Sequence, residues 1–204
     1  MALLIKDGNS ASQYLPNSGI DPMYYAADNG TITTTFTSAT DVFQIQGAAG
    51  VIVRLRQIRI TGTVVIAAPT TVAAASTLCR LMRRTTAGTT GTWTALTESG
   101  KLGRWGNRTG DAAAASATVN IAGTTAFTVG SGTQILRSGF VCHPGLLTTT
   151  NIVSAPAGTS LVWDFTPNAP VYVIGTSDYV CINLNGVTPV GTLMVEAWWD
   201  ESTT

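Results

Sequence analysis

The sequence predicts an all-β fold: an antiparallel β-sandwich, with jelly-roll topology the leading expectation, preceded by an extended N-terminal arm. Three observations carry this. Apolar residues alternate with polar ones in short runs, most plainly toward the C-terminus, where such runs recur at a spacing of about ten residues. Gly, Pro, Asn and Asp clusters punctuate the chain often enough to stop long elements. No stretch of about ten residues or more carries the periodicity of an amphipathic helix.

At 204 residues, with 45% hydrophobic and 11% charged, the chain suffices for one sandwich core. It is too poor in charge for a disordered segment or a long solvated helix. Turn density divides it into an arm over residues 1–40 and a sandwich domain over residues 41–204. With so few charges the surface must be covered by Thr, Ser, Asn, Gly and Ala. Part of that neutral surface is expected to be buried against other subunits.

The formal net charge of zero hides an asymmetry. Ten basic residues lie between Arg54 and Arg137 against only Glu98 and Asp111, so the middle of the chain carries +8 and the flanks carry −8. Blocks of opposite sign can pair within one fold or between neighbours in an assembly. A nucleic-acid footprint needs basic residues on one face with interleaved aromatics. Only Trp93, Trp105 and Phe127 lie in the basic block, too few to interleave its ten basic residues, so nucleic acid is not an expected partner.

Cys79, Cys142 and Cys181 form no CxxC or Cys/His cluster and read as small buried hydrophobes in a reducing compartment. The apolar start, Met1 to Ile5, is too short for a signal sequence, and no run approaches the roughly 18 apolar residues of a membrane span. The expectation is a product made and used without the standard secretory route, with no membrane partner.

In chain order, Asp7-Gly8-Asn9, Leu15-Pro16-Asn17, Asp21-Pro22 and Asp28-Asn29-Gly30 fill the arm with turns. Leu3, Leu4, Ile5, Tyr14, Tyr24 and Tyr25 nevertheless give it apolar surface that needs burial on its own core or a neighbour, as a docked arm or as short edge strands. Val42 to Gln46 alternates as a strand. In the run Val51 to Ile60, Val53 and Leu55 share one parity whereas Ile58 and Ile60 take the other. A β-bulge near Arg56 and Gln57 restores one inward face and sends Arg54, Arg56 and Arg59 outward. Residues 67–75 read as a loop. Thr77 to Arg84 reads as a strand, and residues 85–92 as a Thr/Gly hairpin with Arg83 and Arg84 at its base, a candidate contact tip.

Leu102 to Gly110 reads as a Gly-rich loop placing Trp105 between Arg104 and Arg108, a combination able to stack on a sugar, a base or a side chain. Thr118 to Ile121 and Ala126 to Val129 read as short strands. Gly130-Ser131-Gly132 lacks the Lys of a phosphate loop and the third Gly of a dinucleotide site. The run from Ile135 ends at His143, the single histidine, which fixes a turn before Pro144. With no nucleophile elbow, metal-ligand spacing or arguable carboxylate pair, the chain offers no catalytic residue, cofactor site or metal site.

Four C-terminal strands follow, the first two divided by Pro167 and Pro170. Their alternation assigns Leu161, Trp163, Phe165, Val180, Ile182, Leu184, Leu193, Val195 and Trp199 to the core. Trp198, of opposite parity to Trp199, should face another sheet, the arm or another subunit.

These segments, Leu161-Val162-Trp163-Asp164-Phe165, Ser177 through Gly186 and Gly191 through Glu201, together with the Thr/Ala/Gly-rich body and turn-filled arm, resemble virion structural proteins of tailed bacteriophages. The resemblance implies a small jelly-roll protein, commonly a homotrimer, that decorates or cements the head or belongs to the tail. Its partners would be the major capsid (coat) protein and sister subunits, and its location the virion, assembled in the host cytoplasm. No catalytic residue carries over. Candidate interaction residues are Arg54, Arg56, Arg59, Arg83, Arg84, Arg104, Trp105 and Arg108, with Tyr24 and Tyr25 in the arm and Trp198 on the last strand. The alternative is a carbohydrate- or receptor-binding fibre or tail module that uses Trp105, Trp93 and adjacent arginines as a stacking platform. An enzyme is the least favoured reading.

Overall fold

The computed structural model describes residues 23–27, 32–33, 41–63, 75–89, 93–96, 102–104, 116–122, 129–143, 147–149, 152–154, 160–165, 170–185 and 192–203. Among these every regular element is a strand. The first five are β1 (Met23–Ala27), β2 (Ile32–Thr33), β3 (Asp41–Gln46), β4 (Val51–Thr63) and β5 (Ala75–Arg84). Next come β6 (Trp93–Ala95), β7 (Leu102–Arg104), β8 (Thr118–Ala122), β9 (Gln134–His143) and β10 (Leu147–Thr149). The last five are β11 (Ile152–Ser154), β12 (Ser160–Asp164), β13 (Val171–Ile174), β14 (Tyr179–Asn183) and β15 (Thr192–Thr203).

All pairings are antiparallel. The first sheet runs β12-β4-β15-β1-β7, with β13 also on β4 and β2 on β15; the second runs β6-β8-β3-β14-β5-β9; β10 and β11 form a separate pair. The two large sheets meet across one apolar core, so the fold is an all-β sandwich. Val53, Leu55, Ile58, Ile60, Val195 and Trp199 come from the first sheet and Phe43, Ile45, Leu81, Val119, Val180 and Ile182 from the second. Every expected C-terminal core residue is buried except Leu161, which sits half-buried at the rim.

The bulge expected in β4 is present. Trp198 pairs with Gln57 and the next residue, Trp199, pairs with Leu55, leaving Arg56 as the extra residue in β4. Leu55 and Ile58 therefore both point inward, and Trp199 packs between the sheets with no exposed surface. Its indole N–H donates to Glu201 (3.0 Å). That buried carboxylate also accepts from the backbone N–H groups of Ser116 (2.8 Å) and Ala117 (3.0 Å) just before β8, fastening the end of β15 to the opposite sheet.

β12 and β13 are two halves of one edge strand along β4. Asp164 pairs with Gln57, the Phe165 N–H donates to the Arg56 carbonyl (2.8 Å), and pairing resumes with Val171 opposite Leu55. Pro170 lies in the connection just before β13, as an unbroken ladder requires. On the same side of the sandwich, β9 of the second sheet lies against this edge. A side chain at Gly139 would sit 2.6 Å from Leu161 Cδ1, and the Arg137 guanidinium lies 5.8 Å from the Phe165 ring centroid.

Three expectations need correction. β5 and β6 do not form a hairpin: β14 and β9 occupy both edges of β5, and β6 pairs with β8 instead. Leu102 to Arg104 is a strand at the sheet edge rather than a loop, pairing with β1. Within the stretch read as an arm, β1 is an interior strand between β15 and β7, with Tyr24 opposite Trp199 and Tyr25 opposite Trp198. Residues 1–22, residues 67–74 of the expected loop, the expected strand at Ala126 to Thr128 and the segment from Trp105 to Gly110 lie outside the described residues.

The bulge yields a paired prediction. Deleting Arg56 makes Leu55 and Gln57 consecutive opposite Trp199 and Trp198, so the inward residues keep their facing and the cooperative thermal transition should survive. Inserting one Ala after Arg56 reverses the facing of half of β4 and should abolish it. Arg56→Ala keeps the backbone count and loses a half-exposed ion pair, a change of about 1 kcal/mol or less by denaturant titration.

Candidate functional site

β4 and β15 lie side by side, so their outward residues meet on the solvent face of the first sheet. Arg54 donates from Nε to Asp200 Oδ1 (2.6 Å), and Arg56 donates from Nε to the other oxygen of that carboxylate. Arg59 Nε lies 3.3 Å from Glu196 Oε2. The acids are buried and the arginines stand above them: side-chain exposure is 31%, 40% and 47% for Arg54, Arg56 and Arg59 against 4% for Asp200 and 10% for Glu196. Gln57 Nε2 donates to Asp164 Oδ1 (2.6 Å) on the same face. Trp198 is half-buried there, as its parity predicts.

Arg83 and Arg84 are neighbours in sequence but point to opposite faces of the second sheet. Arg83 turns toward the first sheet, donates to the carbonyl of Tyr172 in β13, and pairs with Asp178 at 3.4 Å. Arg84 is not at a surface tip; it is buried. Its Nε and Nη2 reach the two oxygens of Asp41 at 3.1 and 3.0 Å, and its Nη1 donates to the Gly132 carbonyl. The Asn183 carboxamide donates to Asp41 Oδ1 (2.7 Å), Asn183 Oδ1 accepts the N–H of Asn185 (2.8 Å), and Arg80 donates to Asn185 Oδ1 (2.5 Å). A polar chain therefore runs across β3, β14 and β5. Nothing in the sequence distinguishes Asp41 and Asn183, because their meeting depends on a bulge near Ile182 and Asn183.

The described ion pairs all join the basic middle block to the acidic flanks, so the two charge blocks meet within one subunit. Of the remaining candidates, Arg104 ends β7 opposite Tyr24, and Tyr25 stands opposite Gly103 and Trp198. Trp105 and Arg108 lie outside the described residues, so the tryptophan–arginine cluster is not assembled among them. Trp93 is half-buried on the edge strand β6.

A second feature was not singled out from the sequence. Phe140, Ile174, Ile135, Val162 and Tyr172 are the exposed large hydrophobics among the described residues, and all five belong to β9 or to the β12–β13 edge. Val162, Tyr172 and Ile174 lie on the outer face of the first sheet, opposite Arg59, Arg54 and Ile52. The available signal was an apolar residue at both parities of these strands, which a half-buried strand does not need.

Cys79 and Cys181 are free and buried. Burial pushes the Cys79 thiol from 9.0 up to about 12. The Cys181 thiol is raised by burial, then by the charge of Asp41 and a hydrogen bond with it, with Arg84 opposing. Among the described residues no group of three or more His, Cys, Asp or Glu is placed to hold a metal ion. No family model matches this chain, and neither a curated protein nor a solved structure does.

Two outcomes follow from the buried groups. Arg84→Met leaves the Asp41 carboxylate buried without its cation and should destabilise by about 3–5 kcal/mol in denaturant melts, whereas adding Asp41→Leu should recover part of that loss. Because the Cys79 value is raised on folding, its stabilising contribution is intact below pH 9 and is lost as pH rises from 9.0 toward about 12. Chemical unfolding at stepped alkaline pH should show a steeper decline for the wild type than for Cys79→Ala.

Proposed function

We propose that this chain is a non-enzymatic virion structural protein built on a jelly roll, acting as a capsid decoration or cement protein through oligomeric contacts with coat subunits. The nested pairing of its strands carries the reading. Taking β1, β3, β4, β5, β9, the β12–β13 strand, β14 and β15 as eight successive strands, the first pairs with the eighth, the second with the seventh, the third with the sixth and the fourth with the fifth. Such a set is one long antiparallel hairpin. Rolling it up brings β15 against β4 and β14 against β5, which are the remaining central pairings of the two sheets. Double-sheet jelly rolls are the architecture of viral capsid domains and of lectins.

Fold alone does not choose a function, and the surface supplies the second support. Low charge, with large apolar side chains exposed on the strands of one side of the sandwich, suits a chain that lives against other proteins. An oligomer, with a homotrimer as the expected state, places sister subunits on part of that surface and the coat lattice on the rest.

Light scattering on the purified chain, followed by co-sedimentation with particles of the virus that encodes it, tests the proposal. A trimer that pellets with the particles at saturable stoichiometry is the expected result. A monomer that stays in the supernatant would remove the decoration role. Retention on a glycan array by that monomer would move the chain to the receptor-module alternative.

A further inference from the structure

We infer that copies of this chain meet head to tail through the side of the sandwich where its two sheets adjoin, the β9 flank of one copy seating on the β12–β13 flank of the next. The inference rests on the oligomer in the reading above and names the surfaces that build it. Every exposed large hydrophobic among the described residues lies on one of these two flanks. Phe140 and Ile135 project from the outer face of the second sheet, opposite Leu78 and Met82 of β5. Val162, Tyr172 and Ile174 project from the outer face of the first. Between the flanks the two edges touch, where Gly139 admits Leu161 and Arg137 covers Phe165. The exposed apolar side chains therefore occupy the two faces of one wedge.

The occupant is a second copy because the flanks complement each other in charge as well as in apolar surface. On the β9 flank Arg80 lies between Leu78 and Met82 on the same face, opposite Ser138, and its described partner is the neutral carboxamide of Asn185. On the other flank Asp164 stands exposed two residues after Val162, and its described partner is the carboxamide of Gln57. The arginines near Asp164 are engaged with Asp200 and Glu196. Arg80 and Asp164 are thus a cation and a carboxylate with neutral partners among the described residues, each set beside the apolar side chains of its flank. A contact of one flank with the same flank of another copy brings like charges together. It also leaves the apolar side chains of the other flank in water. A head-to-tail contact pairs Arg80 with Asp164 and covers both patches with one kind of interface. Wedges stacked in this way turn by the same rotation at each step, and the trimer expected above is the closed form of that series.

The test mixes variants of the full-length chain and reads assembly by light scattering. Phe140→Glu blocks one flank, and Tyr172→Glu with Ile174→Glu blocks the other. Alone, each should stay monomeric at least tenfold above the concentration at which the wild type assembles. An equimolar mixture should form a dimer, because each variant keeps the flank that the other has lost. Arg80→Asp and Asp164→Arg should each weaken assembly, and a chain carrying both should recover it. Circular dichroism melts establish that each variant folds, and the charge exchange carries the test should an apolar-site variant unfold. A wild type that is monomeric at every concentration, folded variants that assemble as the wild type does, a mixture that stays monomeric, or a doubly exchanged chain no better than the single exchanges would overturn the inference. A blocked variant that still dimerises alone would overturn it too, since that marks a flank meeting itself. Trimers that depend on these flanks yet stay in the supernatant with virus particles would remove the decoration role and leave the inference standing. A particle-bound trimer indifferent to the substitutions would do the reverse.

Discussion

The pairing of β4 with β15, and the one extra residue in it, is the constraint on which the rest of the sandwich depends. A strand presents alternate residues to opposite faces, so a long central strand keeps one face apolar only if its sequence keeps parity. β4 does not, and Arg56 absorbs the mismatch. Its consequences reach both faces. Inside, Leu55, Ile58 and Trp199 meet in one core. Outside, Arg54 and Arg56 converge on a single carboxylate that regular alternation in β15 supplies at Asp200. The same bulge is felt by the neighbouring edge, where the Arg56 carbonyl receives Phe165 at the point where β12 gives way to β13.

Charge is organised by depth. Asp41, Glu196, Asp200 and Glu201 are buried, and burying a carboxylate is tolerable only where donors surround it. Three of the four have arginine partners; Glu201 instead takes two backbone N–H groups and an indole. Arg84 is drawn in with its acid, whereas Arg54, Arg56 and Arg59 stay partly exposed above theirs. On this face the arginines therefore stand partly exposed beside the exposed Asp164 carboxylate, an arrangement that the linear charge count could not show.

What the sequence made legible was whatever depends on local alternation. The four C-terminal strands, their inward residues, the outward turn of Trp198 and the bulge near Arg56 all follow from parity along a single strand. What it hid depends on which strands become neighbours. Arg83-Arg84 beside a Thr/Gly run reads as a surface tip, because nothing local says that Asp41 and Asn183 will flank Arg84. The continuity of β12 and β13 is likewise invisible, since two prolines imply a break and only pairing to β4 joins the halves. For the candidate site, parity located Arg54, Arg56 and Arg59 correctly, but the buried acids that orient them come from a strand far along the chain.

Open sheets must also dispose of their edges, and the way this sandwich does so bears on how it can associate. The edge strands β6 and β7 are three residues each, too short to template a further strand. The long edges, β9 and β12–β13, are set against each other. Gly139 admits Leu161, Arg137 covers Phe165, and Arg83 from the second sheet donates to the Tyr172 carbonyl of the first. These contacts obstruct strand addition along the longest edges. The apolar side chains that remain exposed there, Val162, Tyr172 and Ile174 among them, project from the sheet faces and not along the ladder.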